Sequence, residues 1–433
     1  MNTELDTKLA LKGRVLTFID APNHYNYWET GCVLIENGFI NAVGDSSSIV
    51  IPEDANVVNY GEDLILPGFV DGHVHYPQMN VIASFGAKLI DWLNTYTFPE
   101  EAKFSNKAYA SAVAKFFLSE TLRNGYTTSA VFCTIHPESV DAFFSEAEML
   151  GLRMVAGKVL MDRNAPENLC DTAQNSYDQS KELIDKWHNR NRSLYAITPR
   201  FAPTSTPQQL EIASALYKEN EGVYIQSHVS ENVDEIAWVA ELFPQASSYL
   251  DVYNRFNLLG PRALYGHGIH FSEADIEMLK VTDASIIHCP TSNLFLGSGL
   301  FNYQEFKNID ARVAFGTDIG GGTSLSPFIT MKAAYEIAQL RNYSLSAFEA
   351  FYLLTLGGAK ALHLDDKIGR IAPGYEADLT IINLKSTEMI NNRMKYGSDL
   401  ADILFSQVIL ADDRAIRATY ANGKRVYSNK LIK

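Results

Sequence analysis

Residues 66–78 have the sequence LPGFVDGHVHYPQ, an apolar stretch that ends in two histidines one residue apart. The apolar part predicts a buried strand, and alternate residues of a strand point to the same face. His73 and His75 therefore present both imidazoles on one side, where they could chelate one metal ion. By itself the pair is a weak indication, because partly buried histidines are common in ordinary cores.

Seven further short apolar runs follow this strand, and segments with helical periodicity separate them. The runs lie at residues 126–133, 153–161, 194–202, 223–231, 263–271, 284–292 and 312–320. With residues 66–75 they form eight repeated βα units. Eight such units predict an α/β protein with a closed (β/α)8 barrel of the TIM type.

Both ends of the chain are rich in β-branched residues and turn signals, and they lack the βα alternation of the middle. Isolated hairpins are marginally stable in water, so we expect the two ends to pack together as one small β-sandwich beside the barrel. The predicted organisation is residues 1–66 for the N-terminal part of the sandwich, 67–367 for a metal-dependent barrel and 368–433 for the C-terminal part.

The composition excludes several classes of protein. Apolar residues make up 46% of the 433 residues, and 51 acidic against 36 basic residues give a net charge of −15 without a basic stripe. Such a chain repels polyanions, so we expect no nucleic-acid partner. No apolar run reaches the ~18 residues of a membrane span and the start lacks a signal-peptide pattern, so a cytoplasmic protein without a membrane partner is expected. The four cysteines are widely spaced, which argues against disulfides and thiolate zinc sites.

Polar residues recur near the ends of several predicted barrel strands. Because these ends meet on one face of a barrel, we expect the following side chains to join the two histidines there: Arg200, His228, Glu231, His267 and Asp318. Each alone has an ordinary explanation, such as a helix N-cap for Asp318. Burying several titratable groups together without partners is costly, however, and a metal ion removes that cost. Three imidazoles and a carboxylate suit zinc, with ferrous iron as the alternative.

Five motifs occur in the order and on the strands typical of the amidohydrolase superfamily, and the chain resembles that superfamily over nearly its whole length. They are LPGFVDGHVHYPQ, QSHVSEN (226–232), YGHGIHFS (265–272), HCPTSNLFLGSG (288–299) and GTDIGGG (316–322). Two more stretches, LIDWLNTYTFPEE (89–101) and TPRFAPTST (198–206), closely resemble the guanine deaminases of this superfamily. The resemblance implies a zinc-dependent hydrolysis of guanine to xanthine and ammonia, and a homodimer.

The resemblance also implies residue roles. It implies one metal ion per chain, held by His73, His75, His228 and Asp318. Glu231 would be the proton shuttle, His267 would lie beside the metal-bound water, and Asp318 would pass a proton to the leaving amine. The guanine contacts would come from Gln78, Arg200 and Phe201, beside the ligands His75 and His228, and Trp92 is a further candidate contact. Two-metal relatives carry a carboxylated lysine on the fourth strand, and its absence here favours a single ion.

Three of these interpretations keep an alternative. Phe201 could pack its strand instead of touching a base, Trp92 could be a lid or a core residue, and Arg200 could pair with an acidic neighbour to hold the barrel mouth. The substrate could also be an oxidised purine, a pterin or a chlorinated triazine. A non-catalytic scaffold protein is the alternative from a different class, whereas the HxE and PCxxC elements of cytidine-type deaminases are absent.

Overall fold

The protein is described by a computed structural model that covers residues 8–85 and 89–429. Residues 1–7 and 430–433 of the predicted terminal segments, and residues 86–88 of the predicted barrel, lie outside the described residues. The strands of the described part are β1 Lys8–Ala21, β2 His24–Glu36, β3 Phe39–Asp45, β4 Asn56–Pro67, β5 Phe69–His75, β6 Tyr126–Phe132, β7 Arg153–Gly157, β8 Val159–Leu160, β9 Ser193–Pro199, β10 Tyr224–Val229, β11 Ala263–His267, β12 Ser285–His288, β13 Arg312–Phe315, β14 Leu379–Ile382, β15 Ile416–Ala421 and β16 Lys424–Ser428.

The helices of these same residues mostly follow the barrel strands. They are α1 Leu89–Trp92, α2 Phe98–Glu101, α3 Lys107–Arg123, α4 Pro137–Met149, α5 Ala173–Trp187, α6 Pro207–Glu219, α7 Val233–Leu242, α8 Tyr249–Arg255, α9 Glu273–Thr282, α10 Pro290–Phe295, α11 Tyr303–Asn308, α12 Pro327–Leu340, α13 Ala347–Leu354, α14 Leu356–Ala361, α15 Glu388–Met394 and α16 Leu400–Leu410. Among the helices of the described ranges, none combines the length and the apolar character needed to cross a membrane.

Eight parallel strands form the barrel in the order β5-β6-β7-β9-β10-β11-β12-β13, and the short β8 pairs with β9. Backbone hydrogen bonds link the first strand to the segment that directly follows the last strand. The His75 amide donates to the Ile319 carbonyl at 3.0 Å, and the Asp318 amide donates to the His73 carbonyl at 2.9 Å. The barrel strands overlap all eight predicted apolar runs, which confirms the predicted fold class.

The two ends of the chain share one seven-stranded sheet, in the order β16-β15-β14-β4-β1-β2-β3. The N-terminal β4 and the C-terminal β14 pair antiparallel, so the two segments are joined edge to edge. The expectation that the two ends pack together as one small β-sandwich beside the barrel is confirmed in that both ends build one separate β structure, which consists of this single seven-stranded sheet.

Two helices interrupt the C-terminal strands and were not expected from the sequence. The helices α15 and α16 lie between β14 and β15, and α16 packs against α12 and α13 of the barrel. Asp399 caps α16 by accepting a hydrogen bond from the Asp402 amide. The last part of the chain therefore contacts the barrel through helices as well as through its strands.

Candidate active site

Four side chains from three parts of the barrel converge on one point. The structure brings together His73 and His75 at the end of β5, His228 on β10, and Asp318 just after β13. One possible ligand atom from each lies within 4.8 Å of all the others. The Nε2 atoms of His75 and His228 are 3.1 Å apart, and the Asp318 carboxylate oxygen Oδ1 lies 3.4 Å from Nε2 of both His73 and His75.

The histidines are held in the neutral form that binds metals. Burial lowers the pKa of His73 and of His228 to about 3, and it lowers the pKa of His75 well below the ordinary value. The Nδ1 atom of His228 donates to the Arg200 carbonyl at 2.6 Å, which leaves the lone pair of Nε2 directed at the centre.

The donor set fits a divalent cation. The Nε2 atom of His73 is buried and finds no hydrogen-bond partner among the described residues. A buried nitrogen without a partner costs free energy, and coordination of an ion would recover that cost. Three imidazole nitrogens and one carboxylate oxygen are a ligand set for zinc or ferrous iron.

The backbone around the centre is shaped to aim these side chains. His267 and Asp318, at two strand ends, adopt left-handed φ angles of 76° and 51°, which are unusual for residues with a Cβ. Gly266 is needed for a different reason, because a Cβ there would lie 2.7 Å from Cε1 of His73. The glycine therefore allows β11 to pass directly behind a predicted ligand.

Asp71 ties the strand of His73 to the segment that carries Asp318. Its Oδ1 accepts from the Thr317 amide at 2.9 Å and its Oδ2 accepts from the Thr317 hydroxyl at 2.5 Å. Asp71 was not predicted to have a role, although this residue lies two positions before His73 in the motif LPGFVDGHVHYPQ.

Glu231 and His267 lie beside the proposed ligands. The Nε2 atom of His267 is 3.5 Å from Glu231 Oε2 and 3.8 Å from Asp318 Oδ2. Burial, and then the negative charges of Glu235 and Asp318, raise the pKa of Glu231 well above its ordinary value. Ser298 donates to Glu231 Oε1 at 3.1 Å, and this serine was also missed. A buried carboxyl with a raised pKa beside a proposed metal centre is a candidate general acid or base.

Two further polar residues, Gln78 and Arg200, line the same cavity and share one buried carboxylate. Arg200 donates from Nη1 to Glu101 Oε2 at 2.6 Å, and Gln78 donates from Nε2 to Glu101 Oε1 at 3.1 Å. The Gln78 oxygen accepts from the Gly320 amide at 3.1 Å. Glu101 lies within the stretch that carried the family resemblance, but the sequence did not single it out.

The two aromatic candidates line the cavity as well. Trp92 is buried and its Nε1 donates to the Ser84 carbonyl at 3.2 Å, so it has both a packing contact and a cavity face. Phe201 is edge-on to Trp238, with ring centroids 6.3 Å apart. The cavity lining includes the predicted site residues Gln78, Trp92, Arg200, Phe201, His75, His228, Glu231, His267 and Asp318.

The fold and this centre agree with a comparison against known protein families. The profile of the amidohydrolase family matches residues 64–426. The chain therefore belongs to the amidohydrolase family.

Individual relatives within this family give a more specific similarity than the family profile does. The chain is 47% identical to the guanine deaminase of Escherichia coli K12 over 401 residues, which is 92% of this chain and 91% of the relative. It is 35% identical to the guanine deaminase of Mus musculus, over 84% of this chain and 83% of that one. The solved E. coli guanine deaminase superposes with a TM-score of 0.94 at 44% identity, over 98% of this chain and 100% of that structure. The guanine deaminase from C. acetobutylicum, solved with guanine in its active site, gives 0.88 at 30% identity over 97% and 100%.

Proposed function

We propose that this protein hydrolyses guanine to xanthine and ammonia with one bound divalent ion. Zinc is the first candidate for this ion and ferrous iron is the second. The observation that carries the proposal is that one cavity holds three neutral histidines with Asp318, a buried glutamate with a raised pKa, and a polar group that can bind a ring amide. The similarity to guanine deaminases supports the choice of substrate.

The ligands proposed are His73, His75, His228 and Asp318. When bound, the ion would lower the pKa of a coordinated water and so supply hydroxide at neutral pH. Glu231 accepts a proton from the attacking water and delivers it to the ring nitrogen beside C2, which makes that carbon electrophilic. His267, between Glu231 and Asp318, orients the water. Asp318 accepts the remaining proton of the added hydroxyl group and passes it to the amine as the C2–N bond breaks and the C2 carbonyl forms, so that ammonia leaves and not an amide anion.

The opposite end of the cavity selects the ring. Arg200 keeps its charge and can direct its remaining N–H groups to the O6 carbonyl, while the Gln78 amide faces the lactam edge. Phe201 and Trp92 contribute apolar walls for the bicyclic ring. Adenine has an amine in place of O6, so it would set a donor against the Arg200 donors and leave them without partners.

Several finer expectations belong to the same proposal: domain boundaries at 66 and 367, a cytoplasmic location and a homodimer. The dimer is checked by light scattering of the purified protein. The scaffold alternative predicts a protein that binds no metal and turns over no ring.

The test is a substrate panel on purified protein with its metal content measured. Guanine, adenine, 8-oxoguanine, a pterin and a chlorinated triazine are each incubated while product and ammonia (or chloride) are followed. We expect xanthine and ammonia in equal amounts from guanine, with kcat/KM at least ~10³-fold above that for adenine. Absence of xanthine from metal-loaded protein, or faster turnover of another ring, would contradict the proposal.

A further inference from the structure

Glu101 is the last residue of α2, and its side chain is 1% exposed. Each of its oxygens holds one residue of the ring-selecting end. Oε1 accepts from Gln78 Nε2 at 3.1 Å and Oε2 accepts from Arg200 Nη1 at 2.6 Å. A buried carboxylate that bridges two proposed substrate contacts, itself outside the cavity lining, can act on the substrate only through them.

We infer that Glu101 is a positioning residue that fixes the hydrogen-bond pattern of Gln78 and Arg200 and makes this end of the cavity select a neutral purine over an anionic one. The inference rests on the proposed function, because it names what that site prefers. Its consequence is that the cavity distinguishes guanine from xanthine, the product, which loses a ring proton more readily than guanine does.

The claim that Glu101 fixes the hydrogen-bond pattern follows from the chemistry of Glu101, Gln78 and Arg200. A carboxylate only accepts hydrogen bonds, so the Gln78 NH2 group must face Glu101, and the Gly320 amide requires the Gln78 oxygen on its own side. The amide therefore has one orientation. The Arg200 guanidinium is held by Glu101 and by the ring of Phe98, whose centroid lies 5.4 Å from Cζ. Phe98 and Glu101 are three residues apart on α2, so one helical turn supplies both contacts.

The preference for a neutral ring follows from the opposite charges of Arg200 and Glu101. Among the described lining residues, Arg200 is the one lysine or arginine. The Glu101 carboxylate in direct contact offsets its charge, so a ring carbonyl meets N–H donors without an unbalanced cation behind them. An ionised xanthine would gain little there. Without Glu101, the same guanidinium would attract a negative ring strongly, because it is buried where charges are poorly screened.

The variant Glu101→Gln removes the charge and keeps the size. Its amide cannot accept from both partners, so it sets a donor against Gln78 or Arg200 and disturbs the pattern. We expect kcat/KM for guanine to fall roughly 10²-fold, as when hydrogen bonds to a charged group are lost. The pH dependence of inhibition by xanthine should reverse in this variant. In the wild type the inhibition weakens as pH rises and xanthine ionises, and in Glu101→Gln it strengthens by roughly tenfold or more over the same range.

The matched control is Glu100→Gln, which changes the neighbouring buried glutamate. Glu100 faces away from the cavity, with Asn80, Lys103 and Tyr109 as partners. It should lower the melting temperature and leave the xanthine pH profile of the wild type unchanged. Glu101→Asp keeps the charge but shortens the reach, so we expect reduced kcat/KM with a profile of the wild-type sense. That variant decides the matter if Glu101→Gln does not fold.

Three results would overturn the inference: wild-type kinetics in Glu101→Gln, a reversed xanthine profile in Glu101→Asp, or the same reversal in Glu100→Gln. A wild-type protein that does not deaminate guanine would instead refute the proposed function, and the inference with it. The two failures are thus told apart by the wild-type arm of the same experiment.

Discussion

Adding one methyl group at Gly266 should weaken metal binding at the proposed site. A Cβ at this position would lie 2.7 Å from Cε1, 2.8 Å from Nδ1 and 3.2 Å from Nε2 of His73. Ordinary contacts between carbon atoms are about 3.5–4.0 Å long. Either β11 or the imidazole ring of His73 must therefore move by roughly 0.8 Å. The strand is paired on both sides, with His228 of β10 and Ile287 of β12 opposite Gly266, so we expect the ring to move.

Such a shift exceeds what a metal centre accepts, since ligand distances hold within about 0.2 Å. We therefore expect Gly266→Ala to lower metal affinity at least roughly 10- to 100-fold, the loss typical when the support of a ligand is removed. Overpacking alone should destabilise the fold by about 1–3 kcal/mol. The assays are calorimetric titration with zinc, metal analysis after dialysis, and thermal unfolding of the metal-depleted protein.

The matched control is Gly358→Ala, because its added Cβ would lie 2.8 Å from Cβ of Val70, and the three atoms nearest to it belong to Val70 and Leu353 and not to a proposed ligand. It should lose comparable stability and keep its metal. If Gly266→Ala bound zinc as tightly as Gly358→Ala and the wild type, the ring of His73 would not be a ligand held by this strand, and the geometric argument would fail.

Three further substitutions test the remaining roles. Glu231→Gln should reduce kcat by ~10²- to 10⁴-fold with unchanged metal content, because it removes the proton shuttle and keeps the shape; near-normal turnover would remove Glu231 from the mechanism. Arg200→Lys should lower kcat/KM for guanine at least ~10-fold at a nearly constant melting temperature, because lysine lacks the planar fork; unchanged kinetics with a lowered melting temperature would make the pair with Glu101 purely structural. His73→Ala should abolish stoichiometric metal binding measured by elemental analysis, and a fully metal-loaded variant would exclude His73 as a ligand.

The barrel was predictable because its signal is repeated. Eight apolar runs with helical segments between them give a periodic pattern that survives errors of a few residues at any strand end. The helices α15 and α16 were missed for the opposite reason. They interrupt a segment of β texture, and their signals are local: Asp399 as an N-cap before an apolar run. A single cap carries less information than eight repeats.

The residues of the candidate site likewise fall into those that the sequence could predict and those that it could not. Residues such as His228 and Asp318 could be chosen because strand ends share one face of a barrel, so their positions in the sequence imply proximity. Glu101 could not be chosen on that ground. It contacts Gln78 and Arg200 from α2 in the segment after β5, and its bridge to Arg200 joins residues 99 positions apart. Ser298 reaches Glu231 over 67 positions in the same manner. Contacts of this kind depend on how loops fold over the barrel, and no periodic pattern records them.

We propose that one ion, held by His73, His75, His228 and Asp318, gives this cavity its guanine aminohydrolase activity. The most direct test is to titrate metal-depleted protein with zinc while xanthine formation from guanine is followed. We expect negligible activity without metal and a linear rise that saturates at about one ion per chain. Full activity in the metal-free protein, or saturation only at about two ions, would contradict it.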